Sequence, residues 1–578
     1  MFEVSFGNPW NVDQDWDFSA THPLRTFSAD SLEEIPSFVR TAENEAEKGF
    51  WVAVLLSYEG APAFDTALKT RNAGDFPLAV AAVFSGDRPA EPLMRNQSYR
   101  IGEWKSQLAM EDFLRSIAAI RDRIARGDTY QVNYTFPLVA EFDGDPKHWY
   151  RELCYAQQAK YCAYLDLGRY KILSLSPELF FARHGNRITT RPMKGTIGRG
   201  RWLAEDEEKA RTLANSTKDR AENVMIVDLL RNDLGRVALP GTVQVSKLFE
   251  LERYPTLWQM TSTIEAILKP ETNLLNLMSA LFPCGSITGA PKVSTMEIIR
   301  ELEHWPRNIY TGTIGLIQPG GNCSFNVAIR TLLLDSERGT VTFGVGGGVT
   351  YDSNAESEYR ECVLKSSFLR VRNEPFDLLE SILLENGNYF LLTRHLTRLR
   401  ASATYFGFPF NERHVSKLLE EVSSEYNEGN WKVRLLSSAS GEVDCEVTRV
   451  VASTQPVKVR LAEEAVDTAN PSLYHKKTSN YQAVSRQLKL SKDLDDLIFW
   501  NENGEVTESG VANLVRDVNG QLVTPPVACG LLPGTFRAEL LAEGKIVEGK
   551  IRVEELRAVR QFFLINSVHR WRAAEWAD

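Results

Sequence analysis

The chain has 578 residues, of which 43% are hydrophobic and 25% are charged, as in an ordinary globular protein. This length exceeds what one hydrophobic core serves, so we expect two large domains. The net charge of −10 argues against nucleic acid and acidic membrane surfaces as partners. Seven cysteines without a CxxC pair indicate reduced thiols rather than a disulfide framework or a zinc site. With no signal peptide and no membrane-spanning apolar run in sight, we expect a cytoplasmic protein.

Hydrophobic periodicity and turn signals predict the elements of the first half. The first hundred residues alternate short β-like runs with loops. The predicted elements, in chain order, are a buried strand at 50–59, a helix at 111–126, strands at 129–135 and 170–178, a hairpin at 180–190, helices at 205–216 and 218–233, a helix at 293–303, a strand at 341–348 and a helix from 356. The apolar run 224–230 predicts that the second of the paired helices is buried almost all round.

Lys194 lies just after the β-rich run 188–190, between Pro192 and Gly195, where regular structure is expected to stop. Taken alone, a lysine there is most simply a solvated surface residue. Glu178 follows the predicted strand 170–178, and a hairpin after it would bring Glu178 and Lys194 to the same end of neighbouring strands. Taken alone, Glu178 is most simply a capping or salt-bridging carboxylate.

Two pairs of carboxylates recur at helical spacing. Asp219 and Glu222 form one (i, i+3) pair, and Glu358 and Glu361 form another. Acidic residues in a first helical turn also stabilise the helix dipole, so that simpler explanation remains open. Two pairs that offer oxygen ligands alone indicate a hard divalent cation, and Mg²⁺ fits best.

Two small-residue segments would let the backbone approach a ligand closely. The loop 284–292 contains Gly289 and Ala290 and precedes a helix, where exposed N–H groups suit an anion. The predicted strand 341–348 ends in Gly346, Gly347 and Gly348. Neither segment is a specific motif by itself.

These segments together resemble the chorismate-binding enzyme family over about residues 50–370. The strings that carry the resemblance are GDTYQVNYT, SPELFF, RPMKGT, AENVMIVDLLRNDLGR, GSITGAPK, AIRT, GVGGGVTYDS and ESEYRECVLK. The resemblance implies a large α/β sandwich whose sheets enclose chorismate. It implies that Mg²⁺ links the ring carboxylate to Glu222 and Glu361, with Asp219 and Glu358 in support. The residues it implies for substrate binding are Arg330, Tyr310, Lys365, Gly289, Ala290, Gly346, Gly347 and Gly348.

Lys194 selects a branch within this family. The anthranilate and isochorismate branches usually carry a small residue there, whereas lysine resembles the branch that forms aminodeoxychorismate. The resemblance implies that the Lys194 amine attacks ring C2 while Glu178 protonates the departing C4 hydroxyl. The sequence departs from many relatives at Gln259, where a histidine is common; glutamine can donate a hydrogen bond to a substrate oxygen but cannot carry a proton.

A polar break at 372–375 predicts two domains, 1–372 and 373–578. The predicted elements of the second half are a hairpin at 376–392, a helix that carries His395, Arg398 and Leu399, a strand at 432–437, a helix at 480–490, a β–turn–β at 505–514 and a helix start after 530–537.

The second half resembles the class IV fold of pyridoxal-phosphate enzymes over about residues 376–570. The strings are RHLTRLRASA, HKKTSNY, GEVTESGVANL, TPPVACGLLPGTFR and FLINSVHRW. The resemblance implies pyridoxal 5′-phosphate held by a Schiff-base lysine, by Glu508 at the pyridinium nitrogen and by Arg398, Thr535 and Ser567 at the phosphate. Lys476 and Lys477 both fit the lysine; we prefer Lys477, which begins the sequence Lys-Thr-Ser-Asn. Adjacent residues of a strand point to opposite faces, so we expect only one of the two to reach the cofactor.

The two resemblances together imply amination of chorismate at C4 and then pyruvate elimination to give 4-aminobenzoate for folate synthesis. The chain has no Gly-x-Cys-x-Gly nucleophile loop, so we expect a separate glutamine amidotransferase to supply ammonia. The alternatives are an anthranilate-type synthase fused to a class IV aminotransferase, and a synthase whose second domain is inactive. Class IV relatives also suggest a homodimer through the second domain.

Overall fold

The computed structural model describes residues 2–8, 16–86, 98–370, 376–451, 455–478 and 494–577. The chain divides into two compact units. The first unit contains Met1–Arg199 and Ala210–Asn373, and the second contains Gly200–Lys209 and Glu374–Asp578. Residues 371–375 lie outside the described ranges, so the division at residue 372 stays a prediction. Residues 200–209, which we expected in the first domain, pack with the second unit.

Helices occur in both units of the chain. Their bounds are α1 (Ile35–Glu47), α2 (Met110–Ala125), α3 (Pro146–Gln157), α4 (Leu203–Asn215), α5 (Thr217–Gly235), α6 (Leu274–Leu281), α7 (Lys292–Leu302), α8 (Ala355–Ser366), α9 (Leu392–Phe406), α10 (Glu412–Glu425), α11 (Thr535–Ala542) and α12 (Val553–Arg557).

The strands of the first unit are β1 (Glu3–Phe6), β2 (Phe18–Thr21), β3 (Arg25–Ala29), β4 (Trp51–Leu56), β5 (Ala79–Phe84), β6 (Tyr99–Ile101), β7 (Lys105–Ser106), β8 (Gln131–Gly144), β9 (Tyr161–Asp166), β10 (Tyr170–Ser176), β11 (Leu179–His184), β12 (Arg187–Arg191), β13 (Met193–Gly198), β14 (Gln244–Arg253), β15 (Leu257–Ile267), β16 (Gly289–Ala290), β17 (Thr313–Ile317), β18 (Cys323–Val327), β19 (Thr331–Asp335) and β20 (Thr340–Val349).

These strands form two antiparallel sheets within the described residues. Sheet A has the order β16-β8-β20-β19-β10-β9-β1-β2, and sheet B has the order β13-β15-β12-β11-β18-β17-β4-β5-β3. The strands β6 and β7 pair with β8, and β14 pairs with β15. The pairing of β11 with β12 confirms the predicted hairpin.

The two sheets pack face to face, and helices cover their outer faces. Phe6 and Ala163 of sheet A share one core with Leu55 and Ile314 of sheet B. The outer face of sheet B packs against α1, α5 and α6, whereas that of sheet A packs against α2, α3, α7 and α8. This layering confirms the predicted α/β sandwich, because each sheet buries both of its apolar faces.

The second unit contains two further sheets. Its strands are β21 (Leu378–Glu385), β22 (Asn388–Tyr389), β23 (Asn430–Ser437), β24 (Val443–Arg449), β25 (Val457–Leu461), β26 (Asp496–Trp500), β27 (Val506–Ser509), β28 (Asn513–Val518), β29 (Gln521–Thr524), β30 (Val547–Glu548), β31 (Gln561–Asn566) and β32 (Arg570–Trp576). Sheet C has the order β22-β21-β23-β24, and sheet D has the order β27-β26-β25-β32-β31-β28-β29-β30 with some parallel pairs. The apolar face of sheet C packs against α9 and α10.

Two helices of the structure, α1 and α5, differ from the predictions. The helix α1 lies where we expected only β-like runs and loops; its buried Ile35, Phe38, Val39, Ala42 and Ala46 follow a helical period that intervening charged residues obscured. The helix α5 is one-sided rather than buried all round, because it lies on sheet B and leaves Val224 38% exposed. The predicted helix at 480–490 lies outside the described residues.

Among the helices that the structure describes, none has both the length and the apolar character needed to cross a bilayer. The seven cysteines are free thiols.

Candidate functional site

Lys194 lies inside a strand, not at a strand end as predicted. β12 ends at Arg191, Pro192 interrupts the pairing, and β13 begins at Met193. The register of β13 against β15 shifts between Met193 and Thr196, so Lys194 and Gly195 form a bulge. A bulge changes the direction of the side chain it carries. The lysine side chain lines a cavity of the first unit as a result.

Gly195 lets the strand pass close to α5. Its φ is +93°, and a Cβ built on it would lie 2.9 Å from the Cβ of Asp219. Any L residue there would be strained and would press against the first turn of α5. The glycine therefore sets the distance between Lys194 and the acidic pair on that helix.

The cavity of the first unit brings together most of the residues predicted for it. Gly347 lies beside it, because a Cβ there would lie 3.2 Å from Oε2 of Glu358. Gly289 and Ala290 are outside the lining, since they form β16 and pair with Val132 and Gln131 of β8. The predicted residues that line the cavity are Glu178, Lys194, Asp219, Glu222, Tyr310, Arg330, Gly346, Gly348, Glu358, Glu361 and Lys365.

Glu178 lies in the connection from β10 to β11, where the chain passes from sheet A to sheet B. It is 2% exposed, and the Ser286 hydroxyl donates a 2.6 Å hydrogen bond to Oε1. Burial raises the pKa of Glu178 to about 7, against the opposing effects of Ser286 and Lys194. A large fraction of this side chain is therefore a neutral acid near neutral pH.

The pKa of the Lys194 amine is shifted in the opposite direction to that of Glu178. Burial lowers its pKa, whereas the nearby Glu222 and Glu361 raise it and Lys365 lowers it further. A lysine is a nucleophile only when it is unprotonated, so a lowered pKa suits that role.

The two acidic pairs reach the cavity from α5 and α8. Burial raises the pKa of Glu222 and of Glu358, and Ser353 donates a 2.7 Å hydrogen bond to Glu358. Burial also acts on Glu361, but its 2.8 Å ion pair with Lys365 lowers its pKa overall. In the part of the chain that is described, no three acidic, histidine or cysteine side chains converge as a metal-ligand set. The acidic side chains that line the cavity from α5 and α8 offer oxygen atoms, the ligand type that a hard cation prefers.

Arg330 offers an unused cationic donor. It has a φ of +49°, is 6% exposed and lies 5.4 Å from the centre of the Tyr254 ring. Within the described residues its Nη1 has no hydrogen-bond partner. Burial lowers the pKa of Arg330 and raises that of the nearby Tyr310, so the tyrosine stays a neutral donor. A buried guanidinium with a free N–H suits a carboxylate.

Several residues in or beside the cavity were not predicted, and Gln131 lies beside the lining rather than in it. Gln131 is fully buried, and neither atom of its amide has a partner among the described residues. Gly348 leaves the space that the Gln131 amide and the Lys194 amine occupy. Gln131 and Ser286 lie in strings that we quoted, but spacing alone does not reveal which side chains face a cavity. Asn133, Thr196 and Lys218 also line it.

Gln259, the departure noted in the sequence, stabilises the bulge. Its Nε2 donates to the Gly195 carbonyl at 2.8 Å, and its Oε1 accepts from the Thr196 hydroxyl at 3.0 Å. Both ends of the amide therefore hold the strand that carries Lys194.

The second unit has its own pocket of about 550 Å³, within the range of about 300–1,000 Å³ typical of small-molecule sites. The residues predicted there line it together: Arg398, Lys476, Lys477, Glu508, Thr535 and Ser567.

Glu508 forms the buried acidic end of this pocket. Its Oε1 accepts from the Leu532 backbone N–H at 3.0 Å, and its Oε2 accepts from Asn513 at 3.1 Å. Burial raises the pKa of Glu508 to about 8. Within the described residues, the neighbouring hydroxyl of Thr507 is buried without a partner. A carboxylate at this position, with an unused hydroxyl beside it, suits a heterocyclic ligand whose protonated ring nitrogen pairs with the carboxylate.

Glu380 of β21, which was not predicted, connects the residues at the opposite end. It accepts from Arg398 at 2.9 and 2.6 Å and pairs with Nδ1 of His395 at 2.6 Å. Nε2 of His395 lies 3.2 Å from the Thr535 hydroxyl. Ser567 donates to the Ser381 carbonyl at 3.1 Å. Arg398 and Thr535 are therefore fixed by one network around Glu380, whereas Ser567 is held separately by the backbone of the next residue of β21.

Lys476 and Lys477 both reach this pocket, although we expected adjacent residues to point apart. The Lys477 amine donates to Ser472 at 2.9 Å and lies 4.3 Å from the centre of the Phe376 ring. Burial lowers its pKa to about 8. Burial lowers the pKa of Lys476 to about 7; Glu380 opposes this effect, and Arg398 adds to it.

Comparison with known proteins gives two family matches. Residues 6–371 match the model of the chorismate binding enzymes, and residues 377–575 match that of the class IV amino-transferases.

Individual relatives match the first half. Aminodeoxychorismate synthase component 1 of Escherichia coli is 43% identical over 259 residues, which cover 45% of this chain and 57% of the relative. Anthranilate synthase component 1 of Aquifex aeolicus is 37% identical over 266 residues, which cover 46% and 53%. The chain thus spans little more than half the length of these relatives. The crystal structure of anthranilate synthase component I from Streptococcus pneumoniae has a TM-score of 0.55 at 23% identity, covers 64% of this chain and 92% of that one, and shows the shared fold.

We expect Gly195→Ala to destabilise the first unit by about 1–3 kcal/mol, because the new Cβ adds a contact with Asp219 to the cost of a positive φ. Gly127→Ala is the matched control, since Gly127 has a φ of +83° and open space around it. Chemical denaturation of both variants measures the difference. Equal free energies of unfolding for the two variants would contradict the proposed close packing at Gly195.

Proposed function

The chain belongs to the chorismate-binding enzyme family, and from this premise we propose that it converts chorismate to 4-aminobenzoate in two reactions, for folate synthesis. The first unit replaces the C4 hydroxyl of chorismate by an amino group, and the second eliminates pyruvate from the product. The observation that carries this proposal is Lys194 in the first cavity, with a lowered pKa, beside the neutral acid Glu178.

Amination proceeds by two displacements in the first cavity. The unprotonated Lys194 amine bonds to ring C2, the ring double bonds shift, and the C4–oxygen bond breaks as Glu178 gives its proton to the departing hydroxyl. Water leaves. Ammonia then bonds to C4, the double bonds shift back and the C2–nitrogen bond breaks, which returns Lys194 to its amine form. The ammonium group formed at C4 gives one proton back to Glu178, which restores the acid for the next turnover.

The anions of chorismate have partners in the same cavity. The free N–H of Arg330 suits a carboxylate, and Tyr310 and Lys365 lie along the lining. We propose that Glu222 and Glu361, assisted by Asp219 and Glu358, hold Mg²⁺. The ion would supply positive charge to the ring carboxylate. Four carboxylates around one cavity, with oxygen donors throughout, support this assignment.

The second unit matches the class IV amino-transferases, whose fold implies pyridoxal 5′-phosphate. We propose that Glu508 faces the pyridine nitrogen, that Arg398, Thr535 and Ser567 hold the phosphate, and that Lys477 bonds the cofactor. When bound, the cofactor supplies an electron sink for loss of the ring proton and of pyruvate. The protein residues orient the substrate, and a neutral lysine amine can accept the proton, which the lowered pKa of Lys477 supports.

Ammonia would come from a separate glutamine amidotransferase, as the component name of the Escherichia coli relative suggests. A homodimer through the second unit remains part of the proposal, as does a cytoplasmic location.

Lys194→Ala should abolish amination of chorismate, because the variant lacks the amine to which we assign the first bond with C2. With chorismate, ammonia and Mg²⁺ the variant should form no aminodeoxychorismate, yet it should still convert supplied aminodeoxychorismate to 4-aminobenzoate. Product chromatography measures both reactions. Lys247→Ala, which removes an exposed lysine on β14 that pairs with Glu250, is the matched control and should keep both activities.

Release of 2-aminobenzoate from chorismate by the unaltered protein would contradict the proposal and favour an anthranilate-type synthase. Amination that survives in Lys194→Ala would contradict the role of this lysine alone.

Amination should slow as pH rises through about 7. Glu178 can donate a proton only in its protonated form, and that fraction falls above its pKa of about 7. Glu178→Gln keeps the shape but has no proton to give, so we expect a loss of about 10²–10⁴-fold and no fall near pH 7. Rates of chorismate consumption from pH 5.5 to 9 test this, with the surface variant Glu337→Gln as control. If the rate of the Glu178→Gln variant still falls near pH 7, the pH dependence belongs to a group other than Glu178.

Lys477→Ala should lose the absorbance band near ~420 nm that a lysine-bound pyridoxal phosphate gives in this fold, and Lys476→Ala should keep it. Borohydride reduction of the unaltered holoprotein, followed by peptide mapping, should place the label on Lys477. A label on Lys476 would reverse this assignment without affecting the proposed reaction.

A further inference from the structure

The pocket of the second unit has more cationic side chains than its predicted ligands need. Arg398 is already paired with Glu380, and Lys477 is assigned to the cofactor. Lys432 and Arg434 of β23 line the same pocket, and no role has been given to them. The acidic side chains of the lining are Asp495 and Glu508.

Lys432 and Arg434 lie on one face of sheet C. Alternate residues of a strand share a face, and Val433 and Leu435 point the other way, into the core with α9 and α10. Arg434 pairs in register with Ser381 of β21, which also lines the pocket. The face that carries both cations is therefore the wall of the pocket.

The charge on this wall is only partly balanced. Arg434 forms an ion pair with Glu446 of β24. The Lys432 ammonium makes no hydrogen bond or ion pair within the described ranges; burial and Arg434 lower its pKa, and Glu446 raises it. The positive charges of Lys432 and Arg434 also lower the pKa of Lys476, because like charges repel. Like charges gathered around a pocket are unfavourable unless an anion joins them.

We propose that Lys432 and Arg434 form a seat for a carboxylate of the substrate of the second unit, separate from the phosphate seat at Arg398 and Thr535. The identity of that substrate rests on the proposed function, since aminodeoxychorismate carries a ring carboxylate and an enolpyruvyl carboxylate. The seat holds one of them and turns the ring toward the cofactor. Arg434, which is also paired with Glu446, contributes guanidinium N–H groups to the carboxylate, and Lys432 adds a point charge.

The first test measures binding to the pyridoxal-phosphate holoprotein by calorimetry, with benzoate and its neutral analogue benzamide. Benzoate should bind about tenfold more tightly than benzamide, and Lys432→Met or Arg434→Met should remove this preference without changing benzamide affinity or cofactor absorbance. Lys417→Met, on the exposed face of α10, is the matched control. An unchanged preference in Lys432→Met would overturn the seat. Inorganic phosphate that binds more tightly than benzoate, with the same dependence on Lys432, would overturn its assignment to a carboxylate.

The second test measures turnover of aminodeoxychorismate. Lys432→Met should raise KM about tenfold and leave kcat nearly unchanged, because the seat binds the substrate and does not touch the reacting bonds. If the protein does not turn over aminodeoxychorismate but its benzoate preference depends on Lys432, the lyase proposal fails and the seat stands. If turnover is normal and KM is unchanged in the variant, the seat fails and the lyase proposal stands.

Discussion

The electrostatics of the first cavity depend on the desolvation of a lysine amine among carboxylates. Burial disfavours charge, so it raises the pKa of Glu178 and lowers that of Lys194. In water the two groups would be a carboxylate and an ammonium; in the cavity the pKa of each is shifted in the direction of its neutral form. Glu222 and Glu361 oppose the effect on Lys194, because each of them favours the protonated form of the amine. The reactivity of the lysine thus reflects the balance of the whole set, in which removing one member alters the others.

The sandwich makes this balance possible because the cavity draws on both sheets. Glu178 stands where the chain passes between them, Lys194 comes from sheet B, and the glycines of β20 come from sheet A. The helices α5 and α8 add the carboxylates. A site built from regular elements is held more firmly than one built from loops. The bulge at Lys194 interrupts the regular pairing of β13 with β15, and its side chain lines the cavity.

The sequence was most informative where a local pattern has one structural outcome. The β11–β12 hairpin, the helix α2 and the strand that ends in Gly346–Gly348 follow from periodicity and turn residues. The bulge at Lys194 could not be predicted, since it depends on pairing with β15, more than sixty residues away. Gln131 and Glu380 escaped notice for a related reason: each lies on a strand as an ordinary polar residue, and only tertiary packing reveals which face is enclosed. The helix α1 was missed because the charged residues between its buried apolar positions obscured the helical period.

Glu380 gives the second pocket a property that no list of its ligands conveys. A single carboxylate on β21 fixes Arg398 and His395 of α9, and through His395 it reaches Thr535 of α11. Three elements of secondary structure are thereby joined at one buried point. Their polar groups have little rotational freedom left to lose when an anion arrives, so the ordering entropy that usually weakens binding is small. The pocket is preorganised by an acid that never needs to contact what it helps to bind.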